Sequence, residues 1–102
     1  MRKIINGRLY DTTTATKVAT YMNGDPAIDF HHFKETLFQK RNGEFFLLAS
    51  GRSPAKYRAY SDDGLYRGED AFIPLTLEDA KRWSEDHLEV DEYIAVFGPV
   101  EE

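Results

Sequence analysis

Two Asn-Gly dipeptides, Asn6-Gly7 and Asn42-Gly43, each lie between short runs rich in apolar and β-branched residues. Asparagine and glycine both tolerate positive φ, so the pair can supply the two central positions of a type I′ turn, whose twist matches that of two antiparallel strands. Antiparallel pairing is therefore expected twice: Arg2-Lys3-Ile4-Ile5 with Arg8-Leu9-Tyr10, and Lys34 to Arg41 with Glu44 to Ser50. In the second hairpin Thr36, Phe38 and Lys40 share one face, and Leu37, Gln39 and Arg41 share the other. Its second strand, Phe45 to Ala49, is apolar on both faces and reads as the most central strand of the sheet.

Helical signals flank these hairpins. Asp11 or Thr12 offers an N-cap, and Ala15, Val18, Ala19 and Met22 recur at spacings of three and four. That pattern predicts a helix over 13–22, ended by Asn23-Gly24-Asp25-Pro26. Residues 27–33 form an irregular aromatic stretch, and Gly51 to Asp70 is a long polar connection. Phe72-Ile73-Pro74-Leu75 reads as an edge strand, because proline gives a ladder no donor. Thr76 caps the strongest helix, with Glu78 and Asp79 complementing its dipole and Leu77, Ala80, Trp83, Ser84, His87 and Leu88 on one face. Asp91 offers the cap of a last helix through Phe97, stopped by Gly98-Pro99; a strand over Tyr93 to Phe97 is the alternative. The expected fold is a single α+β domain over 1–102: a small antiparallel sheet of about four strands with two or three helices packed on one side.

The chain carries no cysteine, so disulfides, thiolate metal sites and cysteine nucleophiles are excluded. Without disulfide staples or an N-terminal apolar run, a cytoplasmic location is expected, with no membrane association. The longest apolar run, Phe45-Phe46-Leu47-Leu48-Ala49, is far short of the roughly 20 residues that span a bilayer.

The net charge of −5 is unevenly placed. Residues 1–61 hold ten Lys/Arg against five Asp/Glu, whereas residues 62–102 hold three against thirteen. Crowded like charges oppose folding through mutual repulsion, so an acidic surface on this scale invites a functional reading. The carboxylates of Asp62, Asp63, Glu69, Asp70, Glu85, Asp86, Glu89, Asp91 and Glu92 can imitate a phosphate backbone. Such a surface would dock where another protein keeps lysines and arginines for nucleic acid.

Other chemistries are less well supported by the residues. Asp29, His31 and His87 could contribute to a metal site, but no established metal-ligand spacing is present. Ser50, Ser53 and Ser61 lie in no nucleophile elbow. Neither a catalytic site nor a cofactor is expected. Arg52, Lys56 and Arg58 interleave with Tyr57 and Tyr60, a pattern suited to single-stranded nucleic acid through phosphate contacts and base stacking. Phe30 and Phe33, if exposed, offer a homodimer surface.

The opening Lys3-Ile4-Ile5-Asn6-Gly7-Arg8-Leu9-Tyr10-Asp11-Thr12-Thr13-Thr14-Ala15 resembles the start of a family of small acidic proteins carried by bacteriophages and other mobile elements of Gram-positive bacteria. The closing Ile73-Pro74-Leu75-Thr76-Leu77-Glu78-Asp79-Ala80, with Trp83, His87, Leu88, Asp91, Glu92, Tyr93 and Phe97-Gly98, resembles the end of the same family. Together they cover about half the chain; the family's middle is richer in glycine than the Arg52-Ser53-Pro54-Ala55-Lys56-Tyr57 found here. Some of these proteins resemble anti-CRISPR proteins, which bind and disable a CRISPR effector nuclease. The resemblance implies a non-enzymatic inhibitor whose partner is such a host protein. The alternative expectation is a small nucleic-acid-binding or regulatory module using the Arg52–Tyr60 segment.

Overall fold

The computed structural model describes residues 1–23, 33–51 and 71–102. It is an α+β fold with a two-stranded hairpin, a four-stranded antiparallel sheet and two C-terminal helices. The hairpin pairs β1 (Arg2–Ile5) with β2 (Arg8–Asp11), in the register Ile4↔Leu9 and Ile5↔Arg8. Asn6 and Gly7 sit at φ 51° and 75°, the positive values that the primed turn requires.

The expected helix over 13–22 is instead a strand, β3 (Thr16–Asn23). Asp11 does not cap a helix. Its carboxylate accepts from the Thr13 backbone N–H (2.8 Å) and its carbonyl accepts from Ala15, closing a tight turn into the strand. The helical spacing has a local cause. A β-bulge between Lys17 and Ala19 lets the neighbours Val18 and Ala19 both pack against the core, which breaks strand alternation and imitates a helical face. Ala15 belongs to the opposite core and Met22 is exposed, so the four residues share no face. Thr16, Val18, Thr20 and Tyr21 favour the extended state.

The sheet order is β3-β4-β5-β6, a simple meander of β4 (Phe33–Gln39), β5 (Phe45–Gly51) and β6 (Ala71–Leu75) on β3. The second Asn-Gly makes a hairpin but not a type I′ turn. Lys40 and Glu44 close a three-residue loop: Lys40 N–H donates to the Glu44 carbonyl (2.7 Å), and Gly43 N–H donates to the Lys40 carbonyl (2.9 Å). Only Gly43 takes positive φ there, at 96°, as in a type I turn followed by a left-handed residue. The Asn42 side chain accepts from the Glu44 backbone N–H and donates to the Glu44 carboxylate, fixing that alternative.

Both sheet faces are covered. Leu37, Phe45, Leu47, Ala49 and Ile73 meet Ala80 and Trp83 on the helical side. Phe38, Phe46 and Phe72 meet Tyr10 on the other, where the first hairpin lies, with Ile5 and Ala15 packed around them. The Tyr10 ring meets Phe46 edge-on at 5.4 Å, and Lys40 Nζ sits 3.7 Å from the Tyr10 centroid. Arg8 bridges to the Glu44 carboxylate at 2.6 Å, linking the hairpin to the β4–β5 turn.

The main helix, α1 (Leu77–His87), starts where expected: Thr76 Oγ1 accepts from the Asp79 backbone N–H at 3.0 Å. Ala80, Trp83 and Ser84 are buried, but Leu77 at its first turn is exposed. The last element is a helix, α2 (Val90–Phe97). Its cap is Glu89, two residues before the expected Asp91, in a reciprocal capping box with Glu92. Gly98, at φ 91°, ends it. No helix among the described residues is long and apolar enough to cross a membrane.

Two expectations follow. Phe46 is fully buried, in ring contact with Tyr10, Phe38 and Phe72. Phe46→Ala should cost about 3–5 kcal/mol in chemical denaturation, whereas a change at exposed Ile4, Ile4→Thr, should stay within about 0.5 kcal/mol. The Glu44 carboxyl is held below its ordinary pKa, first by the Asn42 hydrogen bond and then by Lys40. A lowered folded-state pKa stabilises above the unfolded value and is lost as pH falls through the folded one. The stability gap between the protein and Glu44→Gln should be full at neutral pH and close in acid, read by urea melts across pH.

Candidate partner-binding surface

The acidic residues of the C-terminal third gather where α1 ends and α2 begins. Ala80, Trp83 and Ser84 turn α1 onto the sheet, which leaves Glu85 and Asp86 exposed on its far side. Leu88 and Glu89 are extended, and α2 restarts with Asp91 and Glu92 in its first turn, where carboxylates meet the positive end of the helix dipole. Of the expected site residues, Glu85, Asp86, Glu89, Asp91 and Glu92 are thus brought together, and all are exposed. Glu89 and Glu92 are held by the capping box, with the Glu92 carboxylate accepting from the Glu89 backbone N–H at 3.0 Å. Among the described residues Glu85, Asp86 and Asp91 form no salt bridge; the nearby acid that does, Asp79, meets Arg82 at 3.7 Å.

An open apolar groove of about 330 Å³ lies between α1 and α2 beside these acids. Leu88, Val90, Tyr93, Ile94 and Val100 line it, with Glu85 at its border. Val90 is 70% exposed, Val100 56% and Ile94 37%. Ser84 also lines the groove; its hydroxyl is fully buried and has no hydrogen-bond partner. The acidic run was readable in the sequence, but the groove was not. Its one signal was Val90 and Ile94, four residues apart in a helix whose Tyr93 and Phe97 form another stripe, with Phe97 packed on Phe45 (5.3 Å).

Glu35 is a second feature that composition did not reveal. It is a strand carboxylate buried on the helical face, accepting from the Trp83 indole N–H at 3.4 Å. Beside it His87 stacks on Tyr21 at 3.9 Å and lies 4.7 Å from the Trp83 ring. His87 thus serves as a packing group between two aromatics. Among the described residues no group of three His, Asp or Glu side chains is placed to hold a metal, and Asp29, His31 and His32 lie outside those residues. Phe33 is half-buried, with its ring 6.2 Å from Tyr21; Phe30 lies outside the described residues.

Asp62, Asp63, Glu69 and Asp70 also lie outside them, as do Arg52, Lys56, Tyr57, Arg58 and Tyr60. In the basic half of the chain Glu44 engages both Arg8 and Lys40. The chain matches no protein-family model, no curated protein and no solved structure.

The unpartnered Ser84 hydroxyl carries a stability cost. Ser84→Ala removes that group and improves helix propensity, so it should stabilise the protein by about 0.5–1.5 kcal/mol in denaturant melts. A loss of stability would show that the hydroxyl has a partner.

Proposed function

We propose that the protein is a non-enzymatic inhibitor of the anti-CRISPR kind. It binds a nucleic-acid-processing host protein, a CRISPR effector nuclease, through its acidic surface and blocks guide RNA or target DNA binding. The observation that carries this reading is the exposed run Glu85, Asp86, Glu89, Asp91 and Glu92, none of whose members has a salt bridge among the described residues. Charges of one sign on a fixed helical scaffold project a directed field, which speeds encounter with an oppositely charged cleft. A CRISPR effector holds its guide–target duplex in a positively charged channel, through backbone contacts rather than sequence. A carboxylate surface competes for the same lysines and arginines. The capping box favours this arrangement, because it fixes two of the five acids by hydrogen bonds instead of by cations that would cancel their charge.

The test is capture of a purified effector–guide complex on immobilised protein at low and high salt, with guide loading and target cleavage measured in parallel. Capture should weaken as salt rises. A variant combining Glu85→Lys, Asp86→Lys and Asp91→Lys, checked for folding by circular dichroism, should bind at least about tenfold more weakly. Equal capture by that variant would remove the acidic helix surface from the interface. Failure to capture the effector, with RNA or DNA retained instead, would replace this reading with direct nucleic-acid binding by the Arg52–Tyr60 segment.

A further inference from the structure

The acidic residues adjoin an apolar groove, which a phosphate mimic alone does not require. Val90, Ile94 and Val100 stand open to solvent along the groove between α1 and α2, although the helix face beside them is packed on the sheet. Residues 83–102 contain seven Asp/Glu and no Lys/Arg, and among the described residues that line the groove none is a cation. A fully buried hydroxyl without a partner, that of Ser84, lines it.

We propose that this groove receives a basic segment of the partner protein, with an aliphatic side chain inserted between flanking lysines or arginines. The inference rests on the protein-binding reading above and gives that surface the chemistry of its partner. Charge complementarity selects the occupant. The carboxylates of Glu85, Asp86 and Asp91 repel nucleic-acid phosphates and anionic lipid headgroups, but attract ammonium and guanidinium groups. The exposed valines and isoleucine supply what such groups lack, an apolar pocket for a buried anchor, with the Glu85 carboxylate at its border to set orientation. A symmetric pairing of two copies through this face would set acid against acid. Among the described residues, one patch of this chain that carries both chemistries is the outer hairpin face, where Ile4 and Leu9 are exposed beside Arg2. The hairpin and the helices cover opposite sheet faces, so that contact would run head to tail and remain open-ended.

The probe is a synthetic amphipathic peptide of leucine and lysine, compared with a lysine-only peptide of equal charge. Binding to the full chain is followed by methyl and amide NMR shifts. The leucine–lysine peptide should bind at least about tenfold more tightly and shift Val90, Ile94 and Val100. The variant Val90→Ser with Ile94→Ser changes exposed positions. It should erase that tenfold advantage and leave lysine-only binding unchanged. Equal affinity for the two peptides, shifts confined to Ile4 and Leu9, or self-assembly that grows with concentration in place of peptide binding would each overturn the inference. If the peptide binds as expected but the effector is not captured, the groove assignment stands and the effector reading falls. If the serine variant captures the effector as well as the unaltered protein does, the effector reading stands and the groove assignment falls.

Discussion

Burial of β5 on both faces is the constraint from which the rest of the structure follows. Phe46 points to one side, and Phe45, Leu47 and Ala49 to the other, and all four are buried. A strand of that kind cannot leave either sheet face to water, since each exposed aromatic would forfeit roughly 1.5–3 kcal/mol of burial. The C-terminal helices close one face through Ala80 and Trp83. The N-terminal hairpin closes the other through Tyr10. Chain order and layer order are therefore linked: the first two strands never join the main sheet, because their contribution is to cover it.

This division also sorts the charge. The hairpin carries Arg2, Lys3 and Arg8, and the turn beneath it carries Lys40 and Arg41. The helices and the α2 cap Glu89 carry seven of the twelve described acids, on the opposite side of the sheet. The two poles differ in how their charges are held. Glu44 sits among the cations and engages two of them, and the Tyr10 ring takes up part of the Lys40 charge. On the acidic side, backbone amides at the start of α2 do that work, so the carboxylates keep their sign. The acids of the helix junction have no ion pair among the described residues, whereas Glu44 at the turn has two.

Local chemistry determined which elements were legible beforehand. Asn6-Gly7, Thr76 and Gly98 act through their own backbone or side-chain atoms, and each did what its residue type implies. Pro74 likewise marked β6 as an edge strand. β3 was misread because its bulge places Val18 and Ala19 on the core together, and periodicity cannot distinguish a bulged strand from one turn of helix. Asn42-Gly43 formed a different loop because the Asn42 side chain bonds to Glu44, a contact that depends on the residue two places on. The acidic run of the candidate surface could be read directly, since charge is a property of composition. The groove could not, because it exists only where two helices and the chain after Gly98 converge.

The two outer edges of the sheet share a consequence. β3 is interrupted by its bulge, and β6 carries a proline that has no N–H to offer. Each device spoils a regular row of donors and acceptors, so neither margin presents a clean template for another chain to extend the ladder. Association by backbone zippering is thereby discouraged along both margins of the sheet.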